Sequence, residues 1–174
     1  MSRIATSAPL PGLPVPARFA AQAVALGLRL SLATRDELEP LLQLERYCFS
    51  PWLAFGRKVW RGHLRRGRRR IWLLWQQEQV VAYLALLPHN GWHQVSVTAL
   101  AVHWHWRRRG LATLLLTLAE EEARCRGLRR LRLEVDCDNE AALALYRRLG
   151  FTTVCSLQDY YGIGRPALRL ERYL

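Results

Sequence analysis

Val95-Ser-Val-Thr-Ala-Leu-Ala-Val-His-Trp-His-Trp-Arg-Arg-Arg-Gly-Leu-Ala112 reads as an apolar strand, a short turn with three arginines, and a glycine opening a helix. Leu111, Leu114, Leu115, Leu118 and Ala119 carry the helix on to a stop at Gly127. A helix start has unpaired backbone N–H groups and a partial positive charge, and glycine lets another group come close to the backbone. That combination holds a pyrophosphate without a phosphate-specific side chain. Neither a Walker loop nor GxGxxG is present. Leu131, Leu133 and Val135 alternate beyond the helix, so the two flanking strands form a right-handed parallel crossover.

Outward from this unit the pattern stays regular. Upstream, Leu28, Leu30 and Leu32 alternate as a strand, and Thr34 stands as N-cap before Arg35-Asp36-Glu37 and a helix to Cys48. Ser50-Pro51 starts a second helix to Arg66, with Trp52, Phe55, Val59, Trp60 and Leu64 on one side. Ile71–Trp75 and Val80–Leu87 form a hairpin across Gln76 to Gln79, and Gln94–His103 is the next strand. Downstream, Asp138 caps a helix from Asn139 to Leu149, stopped by Gly150. Thr152–Leu157 and Ala167–Tyr173 are the last strands. The result is an α/β chain with a mixed sheet of about seven strands and four helices on its faces. Residues 1–27, with Pro9, Pro11, Pro14 and Pro16 before an Ala-rich piece, read as a loosely ordered tail carrying a short helix, and 28–174 as the single domain.

Composition sets the outer bounds. The 174 residues are 51% hydrophobic and 23% charged, which excludes wholesale disorder. The net charge of +12 comes almost wholly from arginine, since Lys58 is the lone lysine, and it favours partners with phosphates or carboxylates. Cys48, Cys125, Cys137 and Cys155 are scattered and read as reduced apolar fillers, which points to the cytoplasm. No Cys/His spacing points to a metal, and His103 and His105 read as exposed rings. No apolar run approaches the ~20 residues that span a bilayer.

The stretch Leu131-Arg-Leu-Glu-Val-Asp-Cys-Asp-Asn-Glu-Ala-Ala-Leu-Ala-Leu-Tyr-Arg-Arg-Leu-Gly-Phe151 then gives these features a common context. The chain resembles the GNAT family of N-acetyltransferases. The match to its acyl-CoA motif, Gln/Arg-x-x-Gly-x-Gly/Ala, is Arg107, Gly110 and Ala112. Its downstream motif is matched by Asn139, Ala144-Leu145-Tyr146 and Leu149-Gly150-Phe151. Asp159-Tyr160-Tyr161-Gly162 through Ala167-Leu168-Arg169-Leu170, and Glu45-Arg-Tyr-Cys-Phe-Ser50, resemble the branch typified by ribosomal-protein alanine N-acetyltransferases. Arg107 stands where that branch often has Gln, and Ala112 where it has Gly; the family pattern allows both.

The resemblance implies the acyl-CoA N-acyltransferase fold and acetyl-CoA as cosubstrate, without a metal. Its pyrophosphate is expected on backbone amides of Arg108, Arg109, Gly110, Leu111, Ala112 and Thr113, and its pantetheine along Leu100, Ala101 and Val102 as an added strand. Asn139 is expected to contact it. Glu134 is implied as base, through water, and Tyr146 as acid to the sulfur; taken alone, Glu134 reads as a surface partner for an arginine and Tyr146 as a core residue. The expected reaction is direct attack by a primary amine. An α-amine with a pKa of ~7.8 is roughly one-third neutral at pH ~7.5, and a lysine amine at ~10.4 only about 0.1%. A protein or peptide N-terminus therefore asks least of the base. The alternatives are a small-molecule amine, such as an amino acid, polyamine or antibiotic, and a basic nucleic-acid-binding module on a decayed acetyltransferase fold. Segment 46–77 has nine basic and no acidic residues and reads as a solvated surface or as a dock for an acidic partner or RNA. A monomer or homodimer with no membrane partner is expected.

Overall fold

The computed structural model describes residues 14–67 and 69–174. Among them are seven strands in one sheet and five α-helices. In chain order these are α1 (Ala17–Ala25), β1 (Arg29–Leu32), α2 (Leu38–Cys48), α3 (Arg57–Arg66), β2 (Arg70–Gln76), β3 (Gln79–His89), β4 (Gln94–Val102), α4 (Leu111–Cys125), β5 (Arg130–Asp136), α5 (Glu140–Arg148), β6 (Thr152–Leu157) and β7 (Ala167–Tyr173). The strand order is β1-β2-β3-β4-β5-β7-β6, and β4 with β5 is the parallel pair expected from the crossover.

Side-chain alternation divides the core between the two faces of the sheet. Trp72, Leu74, Leu84 and Leu86 point to one face, where α4 and Phe19 and Ala23 of α1 pack. Ile71, Leu73, Tyr83 and Ala85 point to the other, under α2 and Trp60 of α3. On β5, Leu131, Leu133 and Val135 face the α4 side and are buried. Glu134 and Asp136, in the alternate positions, therefore face the α2 side.

Four expectations need correction. The short helix expected in the N-terminal tail is α1, but it is packed on the domain and not loosely ordered. Phe19 and Ala23 lie one turn apart and are fully covered, and burying a side chain like Phe19 is worth about 1.5–3 kcal/mol. Residues 1–13, with Pro9 and Pro11, lie outside the described residues. Ser50-Pro51 opens a turn and not a helix; α3 begins only after Gly56, so Trp52 and Val59 are exposed while Trp60 is buried. Thr34 is no cap for α2: its N–H and hydroxyl both donate to the Glu37 carboxylate, at 2.6 and 2.7 Å. Asn139, not Asp138, caps α5, its Oδ1 accepting from the Ala142 N–H at 3.1 Å.

Much of the arginine excess is structural. Glu122, buried, pairs with Arg70 and Arg126 at 2.9 Å each and accepts from the Trp72 indole at 2.7 Å. Glu171 holds Arg130 and Arg132 at 3.0 and 2.6 Å. Each is a buried carboxylate shared by two guanidinium groups, which compensates the cost of its desolvation.

Candidate active site

The parallel pair does not stay closed. β4 and β5 are in register from Gln94↔Arg130 to Val97↔Leu133 and then part, although β4 continues to Val102 and β5 to Asp136. The parting coincides with a bulge in β4. Ala99 pairs with Ala85 and Val97 with Leu86, so Thr98 is the extra residue, its hydroxyl tied to the Ala85 carbonyl at 3.1 Å. A bulge bends its strand, and here it leaves one backbone edge of Leu100, Ala101 and Val102 facing the splay.

Beyond β4 the chain turns through Trp104–Trp106 into α4. Arg108 (φ 64°) and Gly110 (φ 79°) are both left-handed. Such residues bend the backbone so that successive N–H groups point into one concavity. The first helical bond of this turn is from the Leu114 N–H to the Gly110 carbonyl, at 2.9 Å. The amides of Gly110, Leu111, Ala112 and Thr113 precede that ladder. A Cβ built on Gly110 would meet nothing within 4 Å. Glycine is therefore needed for its φ, and the space above it is open, which fits a bound diphosphate. The arginines play different parts: Arg107 Nε donates to the Val102 carbonyl at 3.2 Å, Arg109 stacks on Trp106 at 4.7 Å, and Arg108 is exposed. His103 is not the exposed ring expected; it is buried against Tyr47, with ring centroids 5.0 Å apart.

Asn139 follows β5, so the amide turn, the open β4 edge and Asn139 all lie at the carboxyl ends of the two parallel strands, the usual ligand position in such sheets. Asn139 Oδ1 is committed to the helix cap. Its amide N–H groups remain available to a ligand.

Tyr146 is set in place by the end of α5. Phe151 N–H bonds to the Tyr146 carbonyl at 3.0 Å and Gly150 N–H to Arg147 at 2.9 Å, with Gly150 at φ 80°. This is a Schellman motif, and its apolar clasp is the Tyr146–Phe151 ring pair at 5.7 Å. The ring is buried in the α4-side core, and burial alone pushes the phenol up to about 12. The hydroxyl stays protonated at neutral pH.

Glu134 lies on the opposite face of the sheet. It pairs with Arg169, its direct partner on β7, through Nε at 2.8 Å. The plain reading of Glu134 as a partner for an arginine is realised. The Tyr161 hydroxyl donates to the Glu134 carbonyl at 3.3 Å. Burial raises the Tyr161 phenol strongly, with added repulsion from Tyr160, Tyr146, Glu134 and Asp136. The two candidate catalytic groups thus lie on opposite faces of the sheet, with Tyr161 bonded to the backbone of Glu134. Sequence reading did not single out Tyr161 or Arg169 as site residues; the Tyr160-Tyr161 pair before the final strand was the available signal. Among the described residues no His/Cys/Asp/Glu group is placed to hold a metal, and no helix is long and apolar enough to cross a membrane.

A bulge-opened parallel pair with an amide-rich helix start at its mouth defines the class of acyl-CoA-dependent N-acyltransferase folds. Residues 35–151 match the acetyltransferase (GNAT) family, and the chain belongs to it. N-alpha-acetyltransferase 30 of Schizosaccharomyces pombe is 36% identical over 77 residues, covering 44% of this chain and 51% of that protein. A ribosomal protein bS18-alanine N-acetyltransferase of Salmonella typhimurium is 42% identical over 62 residues, 36% of this chain and 42% of that protein. The matched stretches thus span about half the length of these curated relatives or less. In fold, the chain is similar to the ribosomal-protein-S18-alanine N-acetyltransferase from Escherichia coli (TM-score 0.75, 23% identity, 84% of this chain and 93% of that one). It is likewise similar to NAA60 of Arabidopsis thaliana in complex with acetyl-CoA (TM-score 0.73, 17% identity, 84% and 98%).

Proposed function

We propose that this protein transfers an acetyl group from acetyl-CoA to the α-amine of a protein or peptide N-terminus. The observation that carries the reading is the splay after Val97↔Leu133, with the unladdered Gly110–Thr113 amides following β4. Its relatives named as N-alpha-acetyltransferases and as a ribosomal protein alanine N-acetyltransferase support the choice of acceptor.

Acetyl-CoA supplies an activated acyl carbon and a thiolate leaving group. The Gly110–Thr113 amides bind its diphosphate, and the open edge of Leu100–Val102 aligns its pantetheine arm. The neutral amine attacks the thioester carbonyl carbon; the C–N bond forms, the C–S bond breaks, and the nitrogen's surplus proton leaves through water to Glu134. Tyr146, protonated until about pH 12, holds the proton that the departing sulfur takes. Arg169 fixes the orientation of the Glu134 carboxylate by donating to it through Nε. An α-amine suits this arrangement, because an amine of pKa ~7.8 is already partly neutral at pH ~7.5 and asks less of the base than one of ~10.4.

The four free cysteines fit a cytoplasmic setting. In segment 46–77, Arg57 pairs with Glu39 and Arg70 with Glu122, and Arg68 lies outside the described residues. Arg46, Lys58, Arg61 and Arg65 are exposed and would serve for docking an acidic partner or RNA.

The test is an acetyl-CoA consumption screen over peptides with varied N-termini, run beside free amino acids and polyamines. Turnover confined to peptide α-amines is expected. Turnover with small amines alone would overturn the acceptor, and salt-sensitive RNA binding without acetyl-CoA binding would overturn the enzymatic reading.

A further inference from the structure

Two segments far apart in sequence meet over the Glu134 face. Trp52 stands in the 49–56 loop between α2 and α3, with 59% of its surface exposed. Arg165 stands in the connection between β6 and β7. Its guanidinium lies 4.0 Å from the centre of the Trp52 ring, and its Nη2 donates to Asp136 Oδ2 at 2.5 Å. Asp136 is two residues from Glu134 on the same face of β5. A planar guanidinium suits both contacts at once, its face on the indole and its edge on a carboxylate.

Each arm of this bridge is separately anchored. The 49–56 loop is held at its far end by Glu45, whose carboxylate accepts from the Phe55 N–H at 2.6 Å and from the Tyr83 hydroxyl. On the other arm, the Arg165 N–H bonds to the Gly162 carbonyl at 2.9 Å and the Gly164 N–H to Asp159 Oδ1 at 2.6 Å. Asp159 through Arg165 is thus a closed turn that presents Arg165 toward the loop. α2 packs on β3 and β4, whereas the β6–β7 arm is joined to β5. The Trp52–Arg165 contact therefore joins the two sides of the splay.

We propose that Arg165, stacked on Trp52 and paired with Asp136, is a specificity-determining residue that ties the 49–56 loop to the β6–β7 arm and so sets the width of the cleft through which the acceptor reaches Glu134. The proposal rests on the reading that the acceptor amine enters on the Glu134 face. An acceptor with small residues behind its amine passes beneath the bridge; one with large residues must open it.

Two measurements on the full chain test this. Steady-state kinetics are compared for a peptide beginning with two small residues and one beginning with two tryptophans. The native chain favours the small-residue peptide. R165A and W52A lower that preference about 5–10-fold, with kcat for the small-residue peptide within about twofold, while W52Y, which keeps an aromatic face, retains it. Trp52 is exposed, so W52A leaves the core intact if R165A folds poorly. Separately, hydrogen exchange over residues 49–56 is expected to quicken several-fold in R165A and W52A and to stay at the native rate in W52Y. Unchanged exchange in both alanine variants overturns the bridge; unchanged preference with quickened exchange overturns its specificity role. Quickened exchange in a chain that acetylates no peptide leaves the bridge standing and fails the acceptor reading instead.

Discussion

The two sides of the splay are built by different means. The side read as the coenzyme's is made of backbone: the open edge of Leu100–Val102 and the amides of Gly110–Thr113, with left-handed residues at Arg108 and Gly110. The side read as the acceptor's is made of side chains that meet across the fold: Glu134 with Arg169, Asp136 with Arg165 and Trp52, Glu45 with Tyr83 and Phe55. Backbone recognition suits a ligand that never changes. Side-chain pairs spread over strands, a helix and two loops can be altered singly, and so suit the partner that sets specificity.

The contrast fails first at Tyr146 if it fails anywhere. Tyr146→Phe is expected to lower kcat by about 10²–10⁴-fold and to leave acetyl-CoA affinity within about threefold, read by stopped-flow turnover and calorimetry. Equal turnover would remove its acid role. With its phenol at about 12, the native enzyme should show kcat/KM rising through the α-amine's pKa of ~7.8 and no basic fall below about pH 10; a fall near pH 8 would assign the acid elsewhere.

Gly110→Val tests the backbone side. A β-branched residue at φ 79° is strained, which reshapes the amide turn, although the new Cβ meets nothing in the free protein. Acetyl-CoA affinity should drop at least about tenfold with only about 1–2 kcal/mol lost in stability, measured by calorimetry and by urea unfolding. Unchanged affinity would contradict the diphosphate cradle.

Glu134→Gln tests the side-chain half. A loss of roughly tenfold in kcat/KM at pH 7 is expected, narrowing as pH rises above ~8, because a neutral amine needs less help. A deficit independent of pH would leave Glu134 as a mere partner of Arg169.

The smallest effect is on stability. Glu45→Ala leaves the buried Tyr83 hydroxyl unpartnered and should cost about 1–3 kcal/mol in urea unfolding. Burial raises the Glu45 carboxyl above its ordinary value of 4.5. The native fold then binds that proton more firmly than the unfolded chain, a gain fully present below pH 4.5 and lost as pH rises through the raised value. Glu45→Ala should flatten this part of the stability–pH curve.

How legible each part was follows from the range of its interactions. The crossover, the hairpin and the Gly110 helix were readable because periodicity and glycine stops act within a few residues. The Leu149-Gly150-Phe151 run marked a helix end, and the same run clasps Tyr146, since a Schellman motif is local. The readings of Ser50-Pro51, Thr34 and Asp138 failed at helix starts, where several nearby polar groups compete for the same amides and packing chooses among them. The packing of α1 was not legible because Phe19 and Ala23 join a core cluster built from the whole α4 side of the sheet, a tertiary and not a local arrangement.

From the sequence alone came the order of the elements, the parallel crossover and the amide cradle, all products of local backbone preference. Only the tertiary structure decided that Glu134 stands beside Arg169, that Tyr146 and Glu134 lie on opposite faces, and that Trp52 meets Arg165. Those partners are separated by 35 residues for the first pair, and no local signal fixes which strands become neighbours. That choice belongs to the whole hydrophobic core, and the chemistry of the acceptor face is set by it.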